Sequence, residues 1–212
     1  MAPEARALTG TIVILNGPPR AGKSSIAAAM QAELPGPWIN LGVDGQNRAL
    51  PKTLLPGIGL RPGGERPDLE PMVKTLYLAL YDSVAACARR GLNVVVDVGH
   101  HDHYSRPLGI LPACARLLSG LDVLFVGVHC PLDVIMARRN AQPDSLYVKG
   151  EGVPAPVQRW QDAVHLPGIY DLELDTGALS PSDCVARINQ ALAAARQPTA
   201  FARLAMQGDQ PA

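Results

Sequence analysis

The sequence predicts an α/β fold in three layers, with helices on both faces of a central, mainly parallel sheet of five strands. Short runs of β-branched residues alternate with helical patterns along the chain, and this order builds parallel sheets through right-handed crossovers. Three of the runs are apolar at nearly every position, as expected for strands buried on both faces. With 212 residues the chain is long enough for one large core. We therefore predict a single domain over residues 1–212, with its core at about 9–196 and a frayed tail at 197–212.

The strands are predicted in chain order from their apolar patterns. The first, third and fourth are near-continuous apolar runs, whereas the second and fifth are shorter. We place the second strand beside the first. The predicted strands are Thr11–Leu15, Trp38–Val43, Val94–Val98, Leu121–Val128 and Tyr170–Leu174.

Helices are predicted where apolar residues recur every three or four positions. One follows Lys23, one begins near Leu132, a short one covers Val157–Val164, and the last opens at the capping residue Ser180. A longer helix ends at Gly91. Its buried face is expected to comprise Met72, Leu76, Leu80, Val84 and Cys87.

Two irregular segments interrupt the alternation of strands and helices. Pro51–Pro71 is rich in proline and glycine, which predicts a surface loop or a lid-like insertion rather than a linker between domains. Ala141–Pro156 is the second such stretch. Both are expected to lie at the surface of one domain.

Charge and composition exclude several classes of protein. Nineteen Lys and Arg residues balance nineteen Asp and Glu residues, so the chain lacks the basic field that nucleic-acid binding requires. No stretch approaches the ~20 apolar residues of a membrane span, and the run Ile12–Leu15 is too short for a signal peptide. The four cysteines have no metal-knuckle spacing, which predicts free, mostly buried thiols. We expect a cytoplasmic protein with neither nucleic acid nor membrane as partner, and a homo-oligomer is left open.

One motif has the spacing of a phosphate-binding loop, or P-loop. Directly after the first strand, Gly17-Pro-Pro-Arg-Ala-Gly22-Lys23-Ser24 matches the pattern GxxxxGK[ST]. The glycines let backbone N–H groups turn towards phosphate oxygens, Lys23 would reach the β- and γ-phosphates, and Ser24 would bind Mg²⁺. The alternative is a glycine-rich turn that caps a helix without a ligand. The motif predicts a fold of the P-loop NTPase type, with nucleotide-binding residues Gly17, Pro18, Pro19, Arg20, Ala21, Gly22, Lys23, Ser24 and Ser25.

Two carboxylates are predicted to face the phosphates. Asp97 ends an apolar strand, a position that in P-loop enzymes holds Mg²⁺ or orients the attacking group, although any strand can end in aspartate. Asp44 closes the second strand, and the carboxyl ends of parallel strands face the ligand. There it could hold a substrate hydroxyl and accept its proton. The alternative for Asp44 is a helix cap or a turn, because Gly45 follows it.

The remaining candidates follow later strands. Arg138 or Arg139 could close on a transferring phosphate from a lid, and the alternative is two solvated arginines in the last turn of a helix. His100, His101 and His103 follow the Asp97 strand and are therefore expected at the rim of the site. Because adjacent imidazoles rarely converge on one ion, substrate contact by one of them is favoured over a metal site.

With these residues assembled, the chain resembles the chloramphenicol phosphotransferase family of P-loop kinases over about residues 11–195. The resemblance implies ATP-dependent transfer of the γ-phosphoryl group to a hydroxyl of a small molecule. It implies Asp44 as the general base, Lys23 and Arg138 as cations at the transferring group, and Ser24 and Asp97 at Mg²⁺. The segments that carry it are ILNGPPRAGKSS, PWINLGVD, VVVDV, LFVGVHC with Arg138 eight residues after Cys130, and YDLELDT.

The chain also departs from this family, and the departures leave the acceptor open. Two consecutive carboxylates of the family correspond here to Asp97-Val98, and further lid arginines correspond to the neighbourhood of Gln142 and Asp144. The acceptor is chloramphenicol, as in antibiotic resistance, or another hydroxyl compound such as a nucleoside, a sugar nucleotide or a different antibiotic. A non-catalytic ATP-binding regulator is a second class of function. Asp44 argues against it, because a binding module needs no acceptor-side carboxylate.

Overall fold

The structure is a computed structural model, and it describes residues 9–141, 152–194 and 199–207. Two 3-10 turns, Lys52–Leu54 and Gly57–Gly59, lie between the second and third of the helices named below. The strands are β1 (Ile12–Asn16), β2 (Trp38–Gly42), β3 (Asn93–Val98), β4 (Val123–His129) and β5 (Leu172–Asp175). The helices of these ranges are α1 (Lys23–Glu33), α2 (Val43–Arg48), α3 (Glu70–Arg89), α4 (Ile110–Leu117), α5 (Leu132–Asn140), α6 (Ala155–Ala163), α7 (Pro181–Ala193) and α8 (Ala200–Ala205).

The five strands form one fully parallel sheet in the order β2-β3-β1-β4-β5. This confirms the predicted three-layer α/β fold. The predicted place of the second strand is wrong, because β2 pairs with β3 and lies two strands from β1. The physical reason is burial: β3 is buried along most of its length and takes the inner position, whereas β2 exposes Asn40 and serves as the edge.

The two faces of the sheet carry separate apolar cores. Ile12 and Ile14 of β1 pack in a cluster with α3, α4 and α8, whereas Val13 and Leu15 pack in a cluster with α1 and α7. Each of the four side chains is fully buried, and such burial stabilises the fold by about 1.5–3 kcal/mol per side chain. The loop after β1 therefore starts from a rigid central strand.

The buried face of α3 differs from the predicted one. Met72 was expected inside but is 39% exposed, whereas Tyr77 and Tyr81 are buried. The pattern considered only aliphatic and sulfur side chains, and both tyrosines have a polar tip. Each tip has a partner, because the hydroxyl of Tyr77 lies 3.1 Å from the carbonyl oxygen of Ile58 and that of Tyr81 lies 2.7 Å from Nε2 of His100.

The 51–71 segment is more than the surface loop that its prolines predict. Ile58, Leu60 and Leu69 are buried in the core on the α3 side of the sheet. The segment is also attached to the loop after β3, since Gly63 N–H donates to the carbonyl of His103 at 2.7 Å. The apolar residues of this proline-rich segment thus pack it against the core of the domain.

The predicted frayed tail is wrong for residues 199–207. Thr199 caps α8 by accepting a hydrogen bond from the N–H of Ala202, and Phe201 and Leu204 are buried. Phe201 packs edge-on against Phe125 of β4, with ring centroids 4.9 Å apart. The reason is that two apolar side chains three positions apart complete the core beside α4. Residues 195–198 and 208–212 lie outside the described ranges.

Two other expectations concern thiols and membranes. The four cysteines are free, and three of them are buried, which confirms the predicted thiols. Among the helices of the described ranges, none combines the length and apolarity needed to cross a bilayer.

Candidate active site

The loop after β1 has the backbone shape that its glycines allow. A Cβ atom on Gly17 would collide with the carbonyl oxygen of Val128, so only glycine fits there. Gly22 has φ +92°, a left-handed conformation that other residues adopt with strain. Helix α1 then begins at Lys23, and no side chain caps its first N–H groups. The loop thus places an uncapped helix N-terminus beside a cavity, as an anion site requires.

Lys23 lies inside this loop. Its Nζ donates to the carbonyls of Gly17 at 2.9 Å and Pro18 at 3.0 Å. The same nitrogen lies 3.5 Å from Oδ1 of Asp97. Burial lowers the pKa of the Lys23 ammonium, and the charges of Asp97 and Asp44 oppose that shift. A bound polyphosphate would likewise favour the charged form of the lysine.

Ser24 and Asp97 form a second contact at the start of α1. The hydroxyl of Ser24 donates to Oδ2 of Asp97 at 2.6 Å. The two residues are 73 positions apart in the chain, and the pairing of β1 with β3 brings them together. The sequence predicted both of them separately, and the structure joins them.

Asp44 lies in the first turn of α2 and not at the end of β2, as the sequence predicted. Gly42 is the N-cap residue of this helix, so Asp44 is not its capping residue. The carboxylate is exposed and lines the same cavity as Lys23 and Asp97. The structure thus places Asp44 at the same cavity as the P-loop, although the local structure around it differs from the predicted strand end.

Arg138 lines the cavity beside Gly22, whereas Arg139 does not. Its Nη2 donates to the carbonyl of Thr176 at 2.6 Å, and its Nη1 lies within 3.3 Å of Arg20 O, Cys130 Sγ and Thr176 Oγ1. These bonds join α5 to the P-loop and to the turn after β5. The guanidinium thus lies in the site but directs its donors to the protein itself.

A cavity of about 900 Å³ passes over the P-loop, with Lys23, Ser24 and Asp97 in its middle. The sheet order divides its lining, because β2 and β3 lie on one side of β1 and β4 and β5 on the other. We call the first part the β2–β3 half; it is lined chiefly by Val43, Asp44, Asn47, Pro56, Ile58 and Trp160. We call the second part the β4–β5 half; it is lined chiefly by Arg138, Ala141, Thr176, Leu179, Pro181 and Cys184.

The β2–β3 half has a wall held by two polar side chains. The hydroxyl of Tyr77 lies 3.1 Å from the carbonyl oxygen of Ile58 and 3.2 Å from that of Gly99. Nε2 of His101 donates to the carbonyl of Leu60 at 2.8 Å. Because these bonds span the 51–71 segment and the loop after β3, the wall is preorganised.

The three histidines after β3 are structural in this arrangement. His100 is buried against Tyr77, with ring centroids 4.5 Å apart. His101 packs edge-on against Trp160 at 5.0 Å, so it supports a residue of the cavity without lining it. His100, His101 and His103 are not among the residues that line the cavity, so this geometry gives no support to the expected substrate contact. Within the described ranges, no three His, Cys, Asp or Glu side chains are grouped as metal ligands.

One tautomer of His101 fits its hydrogen bonds. Nε2 carries the proton that Leu60 accepts, and Nδ1 accepts from the N–H of His103 at 3.2 Å. Protonation of Nδ1 would break the second bond. Burial lowers the pKa of His101 from 6.5 to about 4, and the bond to Leu60 opposes the shift. His101 is therefore neutral in the folded protein at pH 5.

We expect acid to destabilise the fold through His101. Between pH 6.5 and pH 4 the unfolded chain binds a proton at His101 that the folded chain excludes. The contribution of His101 to the free energy of unfolding is therefore fully present above pH 6.5 and is lost as the pH falls towards 4. From pH 7 to pH 5 this loss is about 2 kcal/mol for one histidine. Urea unfolding at both pH values measures it. The variant His101→Gln can still donate to Leu60 but does not titrate. Its free energy of unfolding should therefore fall by about 2 kcal/mol less than that of the parent protein between pH 7 and pH 5. Equal decreases in both proteins would contradict the assignment.

Asn16 is a site residue that sequence reasoning missed. It is the last residue of β1 and 1% exposed. Its Nδ2 donates to the carbonyl of Val164 at 2.9 Å and to the hydroxyl of Tyr170 at 2.8 Å, and its Oδ1 accepts from the N–H of His100 at 2.6 Å. One side chain thus fixes three loops around Gly17. The available signal was a carboxamide within an apolar strand, directly before the P-loop.

The comparisons with known proteins agree with this geometry. The sequence matches the family model described as chloramphenicol phosphotransferase-like protein over residues 10–193. Proteins from two strains of Mycobacterium tuberculosis, provisionally named O-phosphotransferases, are 29% identical over 209 residues, or 92% of this chain and 88% of theirs.

Solved structures show the same fold. The APS kinase of Mycobacterium tuberculosis, in complex with AMPPNP and APS, has a TM-score of 0.60 and 20% identity, covering 87% of this chain and 98% of that one. Shikimate kinase from Acinetobacter baumannii, in complex with shikimate, has a TM-score of 0.56 and 15% identity, covering 86% and 93%. At these identities the likeness establishes the fold, which is that of P-loop kinases.

Proposed function

The chain belongs to the chloramphenicol phosphotransferase-like family, and from this membership we propose that it transfers the γ-phosphoryl group of ATP to a hydroxyl of a small molecule. The observation that carries the proposal is one cavity that Lys23, the Ser24–Asp97 pair and Asp44 share. It combines a site for phosphates with a carboxylate in the β2–β3 half. This combination is what a kinase for an alcohol needs.

The P-loop would bind the phosphates of the nucleotide. Backbone N–H groups between Gly17 and Ser25 and the uncapped start of α1 supply donors and a positive dipole end. Lys23 is already oriented by the carbonyls of Gly17 and Pro18. Its ammonium would move from these carbonyls to phosphate oxygens without a change of loop shape. Charge transferred to the leaving phosphate would be stabilised there.

Ser24 and Asp97 fit Mg²⁺. Both are oxygen donors, their side chains are 2.6 Å apart, and Mg²⁺ in such sites takes one or two protein ligands together with waters and phosphates. When bound, the ion neutralises part of the charge on the β- and γ-phosphates. The contact between Lys23 and Asp97 would keep this carboxylate directed at the same place.

Asp44 would align the acceptor and take up its proton. The acceptor oxygen forms a bond to the γ-phosphorus while the bond from that phosphorus to the β-phosphate oxygen breaks, and ADP leaves. The hydroxyl proton passes to an oxygen of the Asp44 carboxylate. A carboxylate is a weak base, so this proton moves late in a loose transition state, and alignment of the hydroxyl is a second contribution of Asp44.

In the proposal, Arg138 holds the P-loop in position. Its bonds to Arg20 and Thr176 fix the P-loop against the turn after β5. Its positive charge beside Gly22 adds to the field at the phosphates. For direct contact with the transferring group, as the sequence predicted, its N–H groups would have to exchange these partners.

The charge of the β2–β3 half favours an acceptor without a phosphate or carboxylate group. Among the described residues of this half, Asp44 is charged, Asn47 is a neutral carboxamide, and the rest are apolar or glycine. The cations that line the cavity are Arg20, Lys23 and Arg138, which belong to the P-loop and the β4–β5 half. An anionic acceptor would lie beside the Asp44 carboxylate without a counter-charge from the described residues of this half, which is unfavourable. This disfavours a sugar nucleotide and is compatible with chloramphenicol or a neutral nucleoside.

An acceptor screen tests the proposal. The full chain is incubated with ATP, Mg²⁺ and one of chloramphenicol, a neutral nucleoside, a sugar nucleotide or shikimate, and ADP release and the mass of the acceptor are measured. We expect a phosphorylated product from an uncharged hydroxyl compound, with kcat/KM at least about tenfold above that of the anionic compounds, since an unpaired buried charge costs more than 1.4 kcal/mol. Transfer to anionic acceptors alone would contradict the assignment. Tight ATP binding without any transfer, together with a protein partner, would favour the regulator.

A further inference from the structure

We propose that the nucleotide site discriminates only weakly between adenine and guanine, so that GTP serves as phosphoryl donor alongside ATP. The inference rests on the proposed function, because it takes the P-loop to hold a nucleoside triphosphate. It goes beyond that function in naming the class of donor as purine nucleoside triphosphates. The turn between β5 and α7 carries the argument.

The base of such a nucleotide belongs in the β4–β5 half. The phosphates occupy the P-loop in the middle of the cavity, and the carboxylate of Asp44 stands in the other half. The β4–β5 half begins where Thr176 and Arg138 approach Gly22, within 3.8 Å of a Cβ built on that glycine. Beyond them its walls are the apolar side chains of Leu179 and Pro181. This half has the apolar surface that a planar base needs.

The turn after β5 offers this half no free backbone donor. Five consecutive N–H groups, those of residues 176–180, are bonded within the protein, and Pro181 has none. The acceptors are His129 O for Thr176 at 3.0 Å, Asp175 Oδ1 for Gly177 at 2.8 Å, Asp175 O for Ala178 at 3.3 Å and for Leu179 at 3.0 Å, and Asp183 Oδ2 for Ser180 at 3.1 Å.

The side chains of this half also make bonds within the protein. The hydroxyl of Thr176 donates to the carbonyl of Ala21 at 2.6 Å. Arg138 donates to Thr176 and Arg20. Cys184 is buried and its pKa is raised, chiefly by burial, so it contributes an uncharged thiol, which is a weak donor. Among these described groups of the β4–β5 half, apolar surface is thus what remains for the base.

Apolar groups can recognise the planar shape of a purine, but they cannot distinguish the hydrogen-bond donors and acceptors on its edge. Adenine and guanine differ at position 6, where one carries an amino donor and the other a carbonyl acceptor. To distinguish them strongly, a site needs a fixed donor or acceptor that the wrong base leaves unpaired, which gives about 10⁴-fold discrimination. An apolar pocket gives about 100-fold or less.

Calorimetric titration of the full chain with ADP and with GDP, in the presence of Mg²⁺, tests the proposal. We expect dissociation constants within about 100-fold of each other, and a similar limit for kcat/KM with ATP and GTP. A larger preference for either base overturns the inference. Binding of both nucleotides without transfer would refute the proposed function and the use of GTP as donor, and would leave the weak discrimination between the two bases standing. Binding of one nucleotide alone would refute the weak discrimination and leave the proposed function standing. Binding of neither would refute both.

A pair of leucine variants tests where the base lies. Leu179→Ala removes apolar surface from the β4–β5 half, whereas Leu166→Ala changes a leucine that is 56% exposed and outside the cavity. The first variant should weaken ADP and GDP by the same factor, roughly three- to tenfold for the surface lost. The second should leave both unchanged. Unequal weakening, or no weakening by Leu179→Ala, overturns the proposal.

Discussion

Replacing Lys23 with methionine should lower the rate of phosphoryl transfer by about 10²–10³-fold. Methionine keeps the length and apolar stem of lysine but removes the ammonium that would follow the charge from the γ- to the β-phosphate. The Nζ of Lys23 lies 3.5 Å from Asp97, so the variant also leaves that carboxylate without its cation. Steady-state kcat with ATP and the best acceptor of the screen measures the effect.

The matched control for this variant is Lys52→Met, which removes the same charge at an exposed position outside the cavity. It should retain the turnover of the parent protein. Because Lys23 donates to Gly17 and Pro18, the thermal midpoint of Lys23→Met must also be recorded. A Lys23→Met protein that unfolds like the parent and turns over within threefold of it would exclude Lys23 from the chemistry.

The fold and the phosphate side of the site could be predicted because their signals are local. The P-loop is eight consecutive residues between a strand and a helix, so Lys23 and Ser24 are placed by the motif itself. Asp97 could be predicted because it ends an apolar strand, and parallel strands bring their carboxyl ends to one edge. The contact between Ser24 and Asp97 follows from these two local patterns.

The rest of the site depends on relations that no local pattern contains. The order of the strands put β3 between β1 and β2, which the apolar runs alone do not specify. The wall of the β2–β3 half depends on Tyr77 and His101, whose polar atoms bond carbonyls of the 51–71 segment 19 and 41 positions away. The role of Asn16 likewise comes from bonds to residues 84 to 154 positions distant. The lid region around Gln142 and Asp144 lies outside the described residues.

Replacing Asp44 with asparagine should abolish most of the transfer, by about 10²–10⁴-fold, while nucleotide binding is retained. The carboxamide can still accept a hydrogen bond from the acceptor hydroxyl, but it cannot take up the proton. The P-loop contacts of Lys23 and Ser24 do not involve Asp44, so the affinity for ADP should change little. Single-turnover rates and calorimetry separate these two effects. Asp82→Asn, at an exposed position on α3, is the matched control and should behave as the parent.

A purely structural role of Asp44, in which it stabilises the start of α2, can also be tested. An aspartate in the first turn of a helix contributes about 0.3–1 kcal/mol to stability, and Asp44 is not the N-cap of α2. A structural role would therefore lower the free energy of unfolding slightly and leave kcat nearly intact, whereas a chemical role does the opposite. Comparison with Asp44→Ala then divides the chemical role, because alanine loses both the alignment and the proton acceptor. If alignment dominates, Asp44→Asn retains more activity than Asp44→Ala; if proton uptake dominates, the two are equally impaired, and near-normal turnover by Asp44→Asn would remove Asp44 from the mechanism.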